Sequence, residues 1–180
     1  MNFFSYFTIL SNLASAVVLA VGAVVLLCGG NPQLPRWNLV RISVAVYMGI
    51  TGVVYNLLLR GIEPTGPQAD IADWPNEILH VVAPIVVVLD WLLAPGRTPI
   101  AWKKIWTILA FPIAWAAYTL IRGPHTVDQI NGESFWYPYP FLDPHNGGYL
   151  AVAGWVVLIS AAFAGMAALL IWASRRGPTT

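Results

Sequence analysis

The chain has 180 residues, 58% of them apolar and 9% charged, with nine Lys and Arg against eight Asp and Glu for a net charge of +1. So apolar a composition excludes a water-soluble globule, the length leaves no room for a second domain, and the near-neutral charge argues against nucleic acid as a partner. The single cysteine, Cys28, excludes a disulfide framework and reads as a packing residue or a site of S-acylation.

Five apolar stretches, at about 7–28, 38–59, 77–93, 105–121 and 149–173, are each long enough to cross a bilayer as a helix. They predict an all-α, polytopic integral membrane bundle of five transmembrane helices, one domain over residues 1–180. The first stretch has no Lys or Arg before Arg36 and is long for a signal-peptide core, so it reads as a retained helix. On it Thr8, Ser11, Asn12 and Ser15 recur at helical spacing and form one polar stripe. Such residues are ordinary interhelical hydrogen-bonding groups. Thr8 and Asn12 stand out because they lie where the helix meets the loops. Gly29-Gly30-Asn31-Pro32 makes a short turn into the second stretch, which ends with Tyr55 and Asn56.

A longer gap, 61–76, carries three Pro and two Gly together with acids. The third stretch opens with Glu77 and His80, contains Pro84, and has Asp90 near its far end, where Arg41 is the expected partner and Lys103 or Lys104 the substitutes. Ala94-Pro95-Gly96-Arg97 turns the chain into the fourth stretch, which contains Pro112 and ends with Tyr118 and Arg122. Pro84 and Pro112 should kink their helices and free a backbone carbonyl. The loop 122–148 holds Trp136-Tyr137-Pro138-Tyr139-Pro140-Phe141-Leu142-Asp143, too aromatic for a disordered segment. It should fold back as a lid through Trp136, Tyr137, Tyr139 and Phe141.

The basic residues set the orientation. Arg36, Arg41, Arg97, Lys103, Lys104, Arg175 and Arg176 fall in or beside the first gap, the third gap and the C-terminal tail. Only Arg60 and Arg122 fall in the other two gaps, which hold the acids Glu63, Asp70, Asp73, Glu77, Asp128, Glu133 and Asp143. The positive-inside rule then puts the N-terminus outside and the C-terminus inside. Trp37, Trp91, Trp102, Trp106 and Trp172 read as anchors at the inner interface, and Trp74 and Trp136 at the outer one.

This topology brings Thr8 and His80 to the same depth, although 72 positions separate them. A Thr hydroxyl is a weak nucleophile unless a base adjoins it, and His80 is a candidate base with Glu77 to orient it. The same pair also reads as a structural His beside a Glu that complements the helix dipole. Asn12, Asn56, Tyr118 and Arg122 lie near enough in depth to stabilise an oxyanion or hold a substrate. His125, Asp128, Asp143 and His145, with His80, permit a zinc reading, but their spacings match no metal signature and no metal is assigned.

Three stretches resemble the androgen-induced family of multipass membrane hydrolases, relatives of the androgen-dependent TFPI-regulating protein. They are Phe7-Thr8-Ile9-Leu10, Leu79-His80-Val81-Val82-Ala83-Pro84 with Asp90 further on, and the aromatic string from Trp136 to Asp143. The resemblance implies hydrolysis of fatty acid esters of hydroxy fatty acids without a cofactor, with Thr8 as nucleophile and His80 as base. The chain looks like a bacterial branch of that family, which implies a multi-pass protein of the bacterial cytoplasmic membrane acting on a lipid or fatty-acyl ester. The competing classes are a non-catalytic lipid-binding or accessory membrane protein, and a small transporter using Asp90. A green fluorescent protein fused after Thr180 should fluoresce in cells, and alkaline phosphatase at the same position should be inactive; the reverse pattern would invert the orientation.

Overall fold

The computed structural model describes residues 2–30, 34–62, 73–93, 97–129 and 131–176. The expected turn residues Asn31, Pro32, Ala94, Pro95 and Gly96, and the acids Glu63 and Asp70, lie outside these. The protein is all-α, and no strand occurs among the described residues. Among the described residues five helices are long and apolar enough to cross a membrane: α1 (Phe7–Leu27), α2 (Pro35–Leu59), α3 (Trp74–Leu93), α4 (Trp102–His125) and α5 (Gly148–Ser174). The last four helices begin one to three residues before the apolar stretches do. Pro35 starts α2 because the first turn suits its fixed φ and wastes no N–H, and α4 opens on a 3₁₀ turn at Trp102–Lys104.

α2 is the axis of the bundle. Its most apolar window is 61% buried, against 11–22% in the other four helices, and Ile42, Ala45, Val46 and Met48 are wholly inaccessible. α1, α3, α4 and α5 all pack on it. Its neighbours leave most of their apolar surface outward, as helices facing lipid do. α1 is the extreme case: of its 21 residues only Phe7, Thr8, Ser11 and Ser15 are buried, so its polar stripe faces the protein. Ser11 bonds Thr51 of α2 at 3.1 Å.

The two intrahelical prolines explain two long-range bonds. Pro112 cannot donate to the carbonyl of Ile108, and the buried Tyr47 hydroxyl supplies that bond from α2 at 2.8 Å. In α3, Ile78–Val82 forms a π turn in which the Ala83 N–H bonds the Ile78 carbonyl. Pro84 follows with no N–H, leaving the Leu79 carbonyl without its next donor. Asn12 Nδ2 of α1 fills the vacancy at 3.1 Å. A second π turn, Tyr55–Leu59, widens α2 beside the first. Such widened turns recur where a helix must place a side chain out of its regular register.

At the end of the bundle remote from these turns, Arg41 reaches Asp90 at 3.0 Å and lies over the Trp91 ring at 5.7 Å. Trp91 is no interfacial anchor. It is 1% exposed and belongs to the core, because its position on α3 faces α2 and α5. Arg97 donates to the Trp91 and Leu92 carbonyls at the C-terminus of α3, satisfying groups that the helix leaves open. Lys103 and Lys104 remain exposed.

α2 and α3 approach closely because Gly52 has no side chain. A Cβ there would lie 3.1 Å from the Pro84 ring and 3.3 Å from the His80 carbonyl. Gly154 of α5, by contrast, has open space around it. Gly52→Leu should therefore lower thermal stability in detergent by about 1–3 kcal/mol, the usual range for overpacking, and Gly154→Leu should leave it nearly unchanged. Equal effects would mean that the α2–α3 approach is not tight.

Candidate active site

Thr8 is the second residue of α1, and the residue before that helix, Tyr6, offers no capping side chain. Helix N-termini leave several N–H groups without partners. Here the loop supplies the cap: the Tyr139 hydroxyl accepts from the Thr8 N–H at 3.3 Å. The same hydroxyl lies 3.3 Å from Thr8 Oγ1.

His80, in the π turn of α3, places Nε2 3.1 Å from Thr8 Oγ1. Its Nδ1 lies 2.9 Å from the Asn76 carbonyl oxygen. A carbonyl can only accept, so Nδ1 holds the proton and Nε2 of the neutral ring presents a lone pair to Thr8. The Tyr55 ring stacks on the imidazole with centroids 4.3 Å apart and fixes its plane. Both ends of this chain of bonds are now set, and they give it one direction. The Thr8 N–H donates to Tyr139, Tyr139 to Thr8 Oγ1, Thr8 to His80, and His80 to Asn76.

The pair borders an apolar cavity of about 350 Å³. Phe7, Ile50, Val54, Leu109, Pro112 and Phe163 are among its walls, which draw on all five helices and the loop. Ile113 of α4 is 55% exposed and Ser160 of α5 is also exposed although both line the cavity, so it opens between apolar helix faces. The volume falls within the ordinary range for small-molecule sites. On the other side of Tyr139 lies a second cavity of about 420 Å³, lined by Tyr6, Asp128, Glu133, Trp136 and Asp143 among others. Tyr139 borders both.

The aromatic string folds onto the bundle. Tyr139 stacks on Phe141 at 5.2 Å, Trp136 meets Tyr6 edge-on at 5.5 Å, and Leu142 is buried. Tyr137 covers Gly123, where a Cβ would run into its ring. The Trp136 N–H bonds the Gly123 carbonyl at 3.0 Å.

Five of the expected site residues do other work. Asn12 spends its amide donors on the Thr8 carbonyl at 2.9 Å and the Leu79 carbonyl at 3.1 Å, so it braces helices and offers no donor to an oxyanion. Asn56 is exposed and bonds back to the Gly52 carbonyl at 2.8 Å. Tyr118 is 50% exposed and outside the cavity walls, where the Arg122 guanidinium lies 5.9 Å over its ring. Arg122 clamps the N-terminal segment, donating to Ser5 Oγ at 3.0 Å and Asn2 Oδ1 at 2.9 Å. Glu77 does not orient His80. It pairs with Arg60 at 2.8 Å and accepts from Tyr55 at 3.4 Å, because the π turn carries the imidazole toward the Asn76 carbonyl instead.

Three contacts of the site escaped the sequence. Asn76 acts through its backbone, which side-chain identity does not reveal. Tyr55 was visible only as a polar residue at the right depth. Tyr139 belongs to the expected lid, and a Tyr between two prolines, in the segment expected over Thr8, is the signal that points further. The histidines of the loop do not gather: His145 bonds Asp143 at 2.7 Å and stacks on Phe135, and Asp128 bonds Asn131 at 3.0 Å. Among the described residues no three potential metal ligands come together.

The chain matches no protein-family model, no curated protein and no solved structure. The packed loop should resist limited proteolysis between residues 135 and 141 in the folded protein. Gly123→Ala, which forces the Tyr137 ring off its seat, should make that segment cleavable; equal cleavage of the two proteins would show that the loop is not seated on Gly123.

Proposed function

We propose that this protein is a multi-pass membrane hydrolase of lipid or fatty-acyl esters, with Thr8 as nucleophile and His80 as general base. The observation that carries the reading is the 3.1 Å contact between Thr8 Oγ1 and His80 Nε2, with the Nδ1 proton tied to Asn76, beside an apolar cavity open toward the surface of the bundle. The resemblance to hydrolases of fatty acid esters of hydroxy fatty acids supports it and suggests the substrate class. The distribution of Lys and Arg supports a site at the outer leaflet, and the resemblance to a bacterial branch of that family suggests the bacterial cytoplasmic membrane.

An acyl chain would occupy the apolar cavity and bring its ester carbonyl to Thr8. Thr8 Oγ1 attacks the carbonyl carbon as its proton passes to Nε2. The tetrahedral intermediate collapses, the C–O bond to the alcohol breaks, and the alcohol leaves with the proton returned by His80. Water then attacks the acyl carbon and loses a proton to His80; the C–O bond to Thr8 breaks, His80 returns the proton to Oγ1, and the carboxylic acid departs. The transient imidazolium has two stabilising neighbours, the Asn76 carbonyl and the stacked face of Tyr55.

A fluorophosphonate probe should label the purified protein at Thr8 and fail to label Thr8→Ala. Thr8→Ala and His80→Ala should each lower ester turnover by about 10²–10⁴-fold, and the double variant should be little worse than either, since both disable one step. Thr8→Ser should keep part of the activity. Binding of acyl ligands without Thr8-dependent turnover would instead identify a lipid-binding protein.

A further inference from the structure

The groups that the sequence offers for oxyanion stabilisation are committed to other partners or stand apart from the cavity. Among the described cavity walls, Thr8 Oγ1 hydrogen-bonds only with His80, to which it donates, and Tyr139, from which it accepts. Thr51 is engaged by Ser11, and the Trp115 indole N–H by the Ser5 carbonyl at 3.0 Å. We propose that Tyr139 is a catalytic residue: its hydroxyl, together with the Thr8 N–H, holds the oxyanion formed at the ester carbonyl. This rests on the hydrolase reading above and assigns the group that the reading leaves open.

The direction of the hydrogen-bond chain makes the case. Thr8 gives its proton to His80, so the Tyr139 O–H is the donor in its contact with Thr8 Oγ1 at 3.3 Å. When Oγ1 attacks, its proton moves to Nε2, the new C–O bond forms, and one carbonyl electron pair moves onto the carbonyl oxygen. Oγ1 has then become an ester-type oxygen and a poor acceptor. The negative oxygen on the adjacent carbon is a far better one, and it lies one bond away. The Tyr139 O–H turns to it with a small rotation about its C–O bond, and the Thr8 N–H, fixed by its peptide plane and directed at that same hydroxyl oxygen, meets the oxyanion beside it. No proton leaves Tyr139. Burial and the neighbouring Tyr6 raise the Tyr139 phenol above its ordinary range, which keeps it a donor.

The surroundings hold that donor in place before any substrate arrives. The ring stacks on Phe141 with an interplanar angle of 7° and meets Tyr6 and Trp115 with centroids 6.0 Å away in each case. Pro138 and Pro140 fix the backbone on both sides. A ring fixed in this way leaves only the rotation of its O–H to accompany the developing charge, close to the condition under which a single oxyanion contact is worth most.

The test uses the full chain in lipid nanodiscs, with wild type, Thr8→Ala and Tyr139→Phe assayed in parallel on a chromogenic acyl ester. Tyr139→Phe keeps the ring and should lower kcat by about 10²–10³-fold with KM nearly unchanged. An alkyl trifluoromethyl ketone, whose adduct on Thr8 carries the oxyanion, should lose affinity by the same factor. If Tyr139→Phe does not fold, 3-fluorotyrosine at position 139 replaces it, and kcat should then shift with the acidity of the phenol. The assignment is overturned if Thr8-dependent turnover persists in Tyr139→Phe near the wild-type rate, or if its loss lies in KM alone, as for a lid contact. Wild type and Thr8→Ala behaving alike would overturn the hydrolase reading and this assignment together.

Discussion

One side-chain amide sets the geometry on which the site depends. Asn12 Nδ2 bonds the carbonyl of Thr8 on its own helix and the carbonyl of Leu79 on α3, the residue next to His80. It thereby ties the backbones that carry both members of the pair. The bond has a strong reason to form, because a carbonyl without a donor in hydrocarbon costs several kcal/mol. Pro84 creates that need at Leu79, Asn12 answers it, and the 3.1 Å approach of Thr8 to His80 follows. Measured interhelical bonds of this kind contribute only about 0.6–2 kcal/mol each. Their value here lies in register more than in stability.

The same economy governs the opposite wall. Pro112 frees the Ile108 carbonyl, and Tyr47 reaches it from the axial helix. Tyr47 also stands in an aromatic cluster with Phe7 and Phe111, with ring centroids 5.3–6.0 Å apart. Phe7 immediately precedes Thr8. Each proline therefore attaches a neighbouring helix to the position where the widened turns and the cavity occur. Arg122 completes the enclosure by holding Ser5 and Asn2, and its guanidinium also lies 5.8 Å over Trp136. The N-terminal segment and the aromatic loop are thus bound to one cation at the end of α4.

The fold was legible because hydropathy and helix length act on whole segments, and the five apolar stretches survive any local irregularity. The depth of Thr8 and His80 was legible for the same reason, since topology alone places helix ends. What side chains do within that depth was not. Asn12 looked like a donor for a substrate because its type says only that it carries an amide; the open carbonyl that claims it is a backbone group created by a proline on another helix. Glu77 looked like a partner for His80 at i+3, which an unbroken α-helix would make reasonable. The π turn breaks that spacing and turns the imidazole toward Asn76. Trp91 looked interfacial from its place near a helix end, yet it lies on the face that α2 and α5 cover. In each case the missing information was which face of an element meets which neighbour.

Tyr139 joins these strands of the structure because it borders two unlike spaces. One is apolar and reaches toward the surface of α4 and α5; the other is walled by Asp128, Glu133 and Asp143 with aromatic rings. An acyl chain gains from the first by the hydrophobic effect, and water is at home in the second. On the hydrolase reading the ester carbonyl sits beside Thr8 and His80 on the apolar side, next to Tyr139, which borders both spaces. A nucleophile deeper in the apolar space would have no water for deacylation. One in the polar space would have no means to desolvate the acyl chain. The helix end that carries Thr8 needs a cap, and Tyr139, the loop residue that supplies it, is the one through which the nucleophile adjoins the polar space.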